Sequence, residues 1–348
     1  MKDHLIWAFI PFSIEDGRLS GDSYDNARTK CELAETFNEL GLPWVWQPIV
    51  PGNMQEIVSQ VAEYRNRFPC IVFNFCDGAD SDGKPGLSVV RALEIEGIPF
   101  TGADSRFFEI STSKLRMKPM FAASGLATPA FEALPDVGPV AGVCERLGTP
   151  LIVKPDISSA SQGISLRSKV FSDAEAASRR DELVRNFAHS AVLVERFVEG
   201  REFTVFVTGD HNKPATLRAL PAERIFDSSI PPGERFLSFD RYWGYYKEET
   251  APARGAPFYG YAEIAPDLRG LISDFAQRAY CALQGTGYGR VDIRMEKNGK
   301  PQLLEVNANC GLSGDDETST GSILEIAGLR FSSLVASILE HALSRRCV

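Results

Sequence analysis

Asn298-Gly299, set between two apolar runs, restricts the fold of this chain more than any other feature, because Asn-Gly in that setting is the strongest short signal for a tight β-hairpin. One strand is expected from about Tyr288 to Met295, a turn over Lys297-Asn298-Gly299-Lys300, and a second strand from about Gln302 to Asn307. Side chains alternate along a strand, so Arg290, Asp292 and Arg294 are expected on one face of the first strand. Leu303, Glu305 and Asn307 are expected on one face of the second. The pairing then gathers Asp292, Glu305 and Asn307 as three oxygen donors beside Arg290. Carboxylate and amide oxygens suit Mg2+, which completes its shell with water and phosphate, and an arginine next to such an ion suits a developing anion. The alternative is an edge hairpin with solvated charges. Glu305 lies between Leu304 and Val306 with Gly311 close behind, which favours the site.

The first hundred residues alternate strand-like and helix-like segments. Leu5–Ile10, Trp44–Pro48 and Cys70–Phe75 read as strands, and Tyr24–Leu40, Gln55–Tyr64 and Leu87–Glu96 as helices. That alternation predicts a parallel sheet covered on both faces, with ligands at the carboxyl ends of its strands. Those ends are the segments 11–21 and 76–86, the second of them glycine-rich and acidic. A helix from 111–114 to Ser124 follows, then a helix over Val137–Leu147 and a strand Leu151–Pro155 that carries Lys154 out at its end. The loop Asp156-Ile-Ser158-Ser159-Ala160-Ser161-Gln-Gly163 and a strand Ile164–Lys169 come next. Small and hydroxyl residues let backbone N–H groups approach phosphate oxygens, so this loop reads as a phosphate lid. It is not a Walker A loop, whose pattern is absent.

After a polar helix over Ser172–Ala188, the strand Ala191–Glu195 runs through a turn into a second strand that begins near Glu202. An apolar strand end followed by a turn offers a backbone N–H and an acidic group to the edge of a base, with Glu202 placed for a ribose hydroxyl. Residues 222–262 read as one long irregular loop, of the kind that forms lids. Its Tyr242-Trp243-Gly-Tyr245-Tyr246-Lys247 group could cover a substrate or serve as a packed arm at a dimer contact. Helices are expected over Pro266–Leu283, Ile323–Ala327 and Phe331–Leu343. The acidic stretch Asp315-Asp316-Glu317 suits a cationic substrate or a solvated loop.

Composition excludes several classes. A net charge of −9 argues against a nucleic-acid backbone as main partner. No apolar run reaches the roughly 18–20 residues of a membrane span. Seven scattered cysteines, with no Cys-x-x-Cys, fit reduced thiols in a cytoplasmic protein. The four histidines make no zinc motif.

Lys114, Val-Lys154-Pro with its serine loop, Val-Leu-Val-Glu195-Arg-Phe-Val-Glu-Gly-Arg-Glu202-Phe-Thr-Val, Gly-Arg290-Val-Asp292 and Leu-Leu-Glu305-Val-Asn307 occur in the order found in the ATP-grasp superfamily. The chain resembles its D-alanine–D-alanine ligase branch from about Ile98 onward, and more loosely before. The resemblance implies an α/β protein, α+β in its ATP-grasp part, with three domains: a Rossmann-like parallel-sheet domain over 1–103, a central subdomain over 104–194 and a C-terminal subdomain over 195–348. It implies that Lys114 and Lys154, with Ser158, Ser159, Ala160 and Ser161, hold the phosphates of ATP. Glu195 and the backbone of Val198 would read adenine between Phe197 and Leu304, and Glu202 would bind ribose. Asp292, Glu305 and Asn307 would hold two Mg2+ ions, with Mn2+ as a substitute. Arg290 and the N–H of Gly311 would stabilise an oxyanion. The implied reaction joins a small-molecule carboxylate to an amine through an acyl phosphate, with ATP going to ADP and phosphate. Family members are commonly homodimers.

The substrate-reading positions depart from that pattern. The first loop offers only Glu15 or Asp16 for a substrate ammonium. Cys76-Asp77-Gly78 stands where the branch has histidine-glycine, and Ala160 where it has a substrate-contacting serine. Ser322-Ile323 is the nearest match to the serine-leucine that receives the second substrate's carboxylate. With Asp77 and Lys247, these are the candidate substrate residues. The departures point to an amino-acid ligase working on a pair other than two D-alanines. D-alanine–D-alanine ligase proper, an ATP-dependent phosphotransferase and a non-catalytic nucleotide-binding protein are the alternatives.

Overall fold

The apolar alternation of the first seventy-four residues becomes a three-stranded parallel sheet. In the computed structural model β1 (Leu5–Pro11) lies between β4 (Trp44–Ile49) and β5 (Cys70–Asn74). All residues are described except 2, 16–17, 21–23, 25–26, 79, 81–82, 188–189, 248 and 346–348. A short hairpin of β2 (Ser13–Glu15) and β3 (Arg18–Ser20) leaves the end of β1. Helices α1 (Ala27–Leu40) and α2 (Met54–Arg65) make the crossovers, and α3 (Leu87–Ile95) follows β5. Both faces of β1 are buried, with Phe9 in one core, and Ile6, Ala8 and Ile10 in a second, shared with Leu33 and Phe37 of α1. That is the burial a parallel sheet requires. The observed α1 starts at Ala27 instead of Tyr24.

Two consecutive helices follow, α4 (Ser105–Thr112) and α5 (Lys114–Ala123), where one was expected. The break is at Ser113, whose extended backbone ends α4 and whose side chain caps α5 by accepting from the Arg116 N–H. The second sheet contains β6 (Phe131–Leu134), β7 (Leu151–Pro155), β8 (Lys169–Val170) and β9 (Val192–Arg196) in the order β6-β9-β7-β8. Helix α6 (Val143–Leu147) is shorter than the 137–147 expected, because Gly138 and Gly142 adopt left-handed φ and delay the helix. The expected strand over 164–169 is mostly a 3-10 turn at Leu166–Ser168, and only Lys169 and Val170 pair with β7. Helix α7 (Asp173–Asn186) packs on this sheet.

The third sheet has five antiparallel strands in the order β12-β11-β10-β13-β14. These are β10 (Glu202–Asp210), β11 (Lys213–Phe226), β12 (Tyr259–Ala262), β13 (Thr286–Met295) and β14 (Pro301–Ala308). The irregular loop expected over 222–262 therefore shrinks to 227–258, since both its ends pair as strands. Among its described residues it contains a single helical turn, α8 (Phe239–Tyr242), and short 3-10 pieces. Helix α9 (Pro266–Ala282) covers one face, meeting Phe203, Val205, Val291 and Ile293 in a shared core. Helices α10 (Ser319–Ala327) and α11 (Phe331–Ser344) close the chain against α1 and the first sheet.

The Asn298-Gly299 hairpin forms as expected, with Gly299 at φ +83°. Its register holds one surprise. A bulge after Asp292 pairs Ile293 with Leu303 while Asp292 pairs with Glu305, so strict alternation fails at Leu304. Leu303 consequently enters the core and does not share a face with Glu305 and Asn307.

Candidate active site

The face of the third sheet away from α9 is polar beyond Phe206 and Tyr288, which pack with Ile323 and Leu324 of α10. Arg290, Asp292 and Arg294 project there from β13, as their spacing requires, and Glu202 and Thr204 join them from β10, where Thr204 lies opposite Asp292. Asp292 is the hub of the hairpin. Arg290 donates from Nε to both carboxylate oxygens at 3.2 Å and from Nη2 at 3.0 Å, Thr204 donates at 2.7 Å, and Asn307 Nδ2 donates at 3.1 Å. Asn307 Nδ2 also reaches Glu305 at 3.3 Å. The three expected donors thus converge beside Arg290. Among the described residues no three His, Cys, Asp or Glu side chains form a metal cluster; here an amide accompanies two carboxylates. Rotating the Asn307 amide by half a turn puts an oxygen where its nitrogen now lies. That donor set, all hard oxygen, fits Mg2+ or Mn2+.

Glu305 is ready to act as an anion. Burial alone would raise its carboxyl pKa, but Lys114, Lys154 and Arg290 pull it down to about 2. Lys114 Nζ lies 3.4 Å from Glu305 and donates to the Asp156 carbonyl at 3.2 Å and the Ser158 carbonyl at 3.3 Å. One ammonium therefore links the hairpin to the serine loop. Asp156 fixes the base of that loop by accepting from Ser113 Oγ and the Leu115 N–H, both at 2.7 Å, at the start of α5. Ala160 and Ser161 sit at φ +48° and +59°, two successive left-handed residues without glycine. Such a conformation costs about 1–2 kcal/mol per residue. Strain of this kind concentrates at loops that clamp ligands.

Glu195 lies at the end of β9 and is 2% exposed. Lys154 donates to its Oε1 at 2.6 Å, and the Nζ of Lys118 lies 2.5 Å from Oε2. Burial works against the charged carboxylate, yet the two lysines hold its pKa below the usual value. The following turn presents Phe197, which meets Phe236 of the long loop edge-on with ring centroids 5.4 Å apart, beside Ile152. Glu202 is bracketed by two buried arginines, Arg224 and Arg294. Arg294 also donates to the carbonyls of Val198 and Arg235. Both Glu202 oxygens are thus already engaged, a geometry its sequence position did not announce.

The candidate substrate residues scatter around this face. Gly311 is exposed just past the hairpin. Asp77 accepts from the Tyr24 hydroxyl at 2.9 Å, and that hydroxyl is 3.9 Å from where a Gly311 side chain would begin. The Glu15 side chain and Asp16 lie outside the described residues. Lys247 is exposed, with its ammonium 5.1 Å from the centre of the Tyr245 ring. Ser322 falls in the second turn of α10, its hydroxyl bonded to the Asp316 carbonyl at 2.6 Å; the hydroxyl that meets Arg290, at 3.4 Å, belongs to Ser319. The acidic stretch is engaged within the chain, since Asp315 and Glu317 pair with Arg28 of α1. Sequence reading missed Lys118, Phe236 and Ser319. A one-turn spacing from Lys114 was a usable signal for Lys118; Phe236 carried none.

The fold, with the sequence relatives that follow, defines an ATP-grasp ligase, an ATP-dependent enzyme that forms C–N bonds. The model of the D-ala D-ala ligase C-terminus matches residues 121–340. The D-alanine--D-alanine ligase of Bordetella pertussis is 34% identical over 251 residues, 72% of each chain. That of Chromohalobacter salexigens is 33% identical over 262 residues, 74% of each. In three dimensions the chain is similar to the D-alanine--D-alanine ligase of Bacillus anthracis complexed with ATP, with a TM-score of 0.68 at 19% identity over 98% of this chain and 97% of that one. The ligase of Coxiella burnetii gives 0.62 at 16% identity, over 99% and 95%. The chain belongs to the D-alanine–D-alanine ligase family.

Proposed function

We propose that this enzyme joins two D-alanine molecules through an acyl phosphate. The observation that carries the reading is the convergence of Arg290, Asp292, Glu305, Asn307 and Lys114 on one polar face, in a chain a third identical to ligases named for that product. Lys114, Lys154 and the loop of Ser158, Ser159, Ala160 and Ser161 hold the ATP phosphates. Glu195 and the Val198 backbone read the base between Phe197 and Leu304, and Glu202 is oriented by its two arginines toward the ribose. Asp292, Glu305 and Asn307 would hold two divalent ions, whose chemistry is to neutralise charge on the transferring phosphoryl group.

The donor's carboxylate oxygen attacks the γ-phosphorus and ADP leaves. The acceptor's amine nitrogen then attacks the acyl carbon, phosphate leaves and the amine gives up a proton. Arg290 and the Gly311 N–H stabilise the oxyanion formed in that attack. A cytoplasmic homodimer is the expected setting, and no single helix among the described residues is long and apolar enough to cross a membrane.

A second reading, ligation of a different amino-acid pair, is favoured by one feature: the Tyr24–Asp77 pair beside Gly311, where the family pattern has histidine-glycine. ADP and phosphate release with Mg-ATP, measured against D-alanine alone and against amino acids singly and in pairs, separates the two. Turnover with D-alanine alone and a dipeptide by mass spectrometry is the expected result. Turnover only with another pair would replace D-alanine, and ADP release without amide would return the phosphotransferase.

A further inference from the structure

Lys118 is a fully buried lysine, with 0% of its surface exposed, whose part in the reaction is not yet assigned beyond helping to keep Glu195 charged. Its neighbours on α5, Met117 and Phe121, are core residues, so a leucine or methionine at this position would pack. Burying an ammonium is costly unless it is paired, and replacing a buried ion pair with apolar groups is often neutral or stabilising. Stability therefore gives no reason for a lysine here, and its partners do. Its ammonium contacts Glu195 Oε2 at 2.5 Å and donates to Thr128 Oγ1 at 3.0 Å. The Thr128 hydroxyl in turn donates to the Leu303 carbonyl at 2.8 Å, fixing it to β14. The lysine is thus held from behind while it holds the carboxylate.

The charges around Glu195 explain what this achieves. Glu195 and Lys154 alone would be a neutral buried pair, and Lys154 would be the only counter-ion the carboxylate has. Lys118 supplies a second, although burial pulls its own pKa down to about 8 against the pull of Glu195. Glu195 then stays ionised and oriented from the Oε2 side, while Lys154 carries a surplus charge toward the phosphate loop. An ionised carboxylate accepts hydrogen bonds and donates none. It therefore favours a purine with an amino group at the 6-position over one with an oxo group.

We propose that Lys118 is a positioning residue that sets base selectivity, by fixing Glu195 as an oriented acceptor for the 6-amino group of ATP. The inference rests on the reading of Glu195 as the base-contacting residue. The Lys118 ammonium is held between Glu195 and Thr128, so its effect falls on the choice of nucleotide. The test compares kcat/KM for ATP and for inosine triphosphate, which has an oxo group at the 6-position, in the intact enzyme and its variants. Lys118→Met, which keeps the volume and removes the charge, lowers the ATP preference by about tenfold or more, the scale of one lost hydrogen bond to a charged group. Lys118→Arg restores part of it. Thr128→Val, which unfastens the lysine without removing it, moves the ratio in the same direction and serves if Lys118→Met does not fold. An unchanged ratio in Lys118→Met, or in Thr128→Val where it stands in, overturns the proposal whatever happens to overall rate. Glu195→Gln tests the underlying reading separately. If Glu195→Gln collapses the preference and Lys118→Met does not, the role of Lys118 falls alone; if neither changes it, the reading of Glu195 falls with it.

Discussion

Glu202 and Arg294 form one arm of a buried three-charge cluster, and removing either breaks the same contact with unequal consequences. Glu202, Arg224 and Arg294 are 5%, 6% and 4% exposed. The cluster holds one negative and two positive charges. Glu202→Gln leaves two guanidinium groups facing each other without their shared counter-ion, with Asp292 still acting on Arg224, and removing one partner of a buried pair costs about 3–5 kcal/mol. Arg294→Met leaves Glu202 with Arg224, a neutral pair. What it forfeits is the donation to the Val198 and Arg235 carbonyls, about 1–3 kcal/mol, offset in part by the apolar side chain against Phe197, over whose ring the guanidinium now lies at 5.1 Å. The glutamate change is therefore expected to destabilise more than the arginine change. In the Glu202→Gln background the second substitution, Arg294→Met, relieves repulsion and costs almost nothing or stabilises. Urea unfolding of the nucleotide-free protein, with all four members of the cycle, reads these terms directly. Arg294→Met costing as much as Glu202→Gln, or costing the same with and without Glu202, would refute the charge-count argument.

Asp292→Asn is expected to keep the fold, by circular dichroism, and to lower turnover by about 10²-fold or more, because the hub of the hairpin loses its charge; unimpaired turnover removes Asp292 from the site. Burial, with Arg345 and Lys213 nearby and only Asp210 opposing, lowers the His341 pKa from 6.5 to about 4. The unfolded chain then takes up this proton first as pH falls, so stability is lost between about pH 6.5 and 4, and His341→Leu flattens that part of a denaturation-versus-pH curve. Gly287 sits at φ +72°, and a Cβ there would begin 2.0 Å from the Gly102 carbonyl oxygen. Gly287→Ala is accordingly expected to cost more than about 2 kcal/mol in urea unfolding, and an unaltered midpoint would mean that the contact yields freely.

What was legible in the sequence is what periodicity and turn chemistry encode. The first sheet followed from apolar alternation, and the site hairpin from Asn298-Gly299, whose turn closes with the Glu296 carbonyl accepting from Gly299. Period two on β13 placed Arg290, Asp292 and Arg294 on one face. The failures are of another kind. Leu303 turned inward because a bulge, which local composition does not announce, shifts the register after Asp292. The 3-10 turn at Leu166–Ser168 wins over a strand because Leu166 N–H is taken by Glu249, eighty-three residues away. Glu249 is itself held by Ser238, and Arg241 Nε lies 3.0 Å from it.

The same distinction explains why the site was only partly legible. Asp292, Glu305 and Asn307 converge through neighbouring strands, where a local rule suffices. Lys118, Lys154 and Glu195 converge through α5, β7 and β9, where partners forty-one residues apart must meet at 2.6 Å. The one-turn spacing from Lys114 sets Lys118 on the same helix face, but only the topology that buries it makes a counter-ion necessary and ties it to Glu195. The residues proposed to bind phosphate lie near turns and element ends and can be found from sequence, whereas those that orient them are set by packing between distant elements, and their identity becomes apparent once the buried charges are counted.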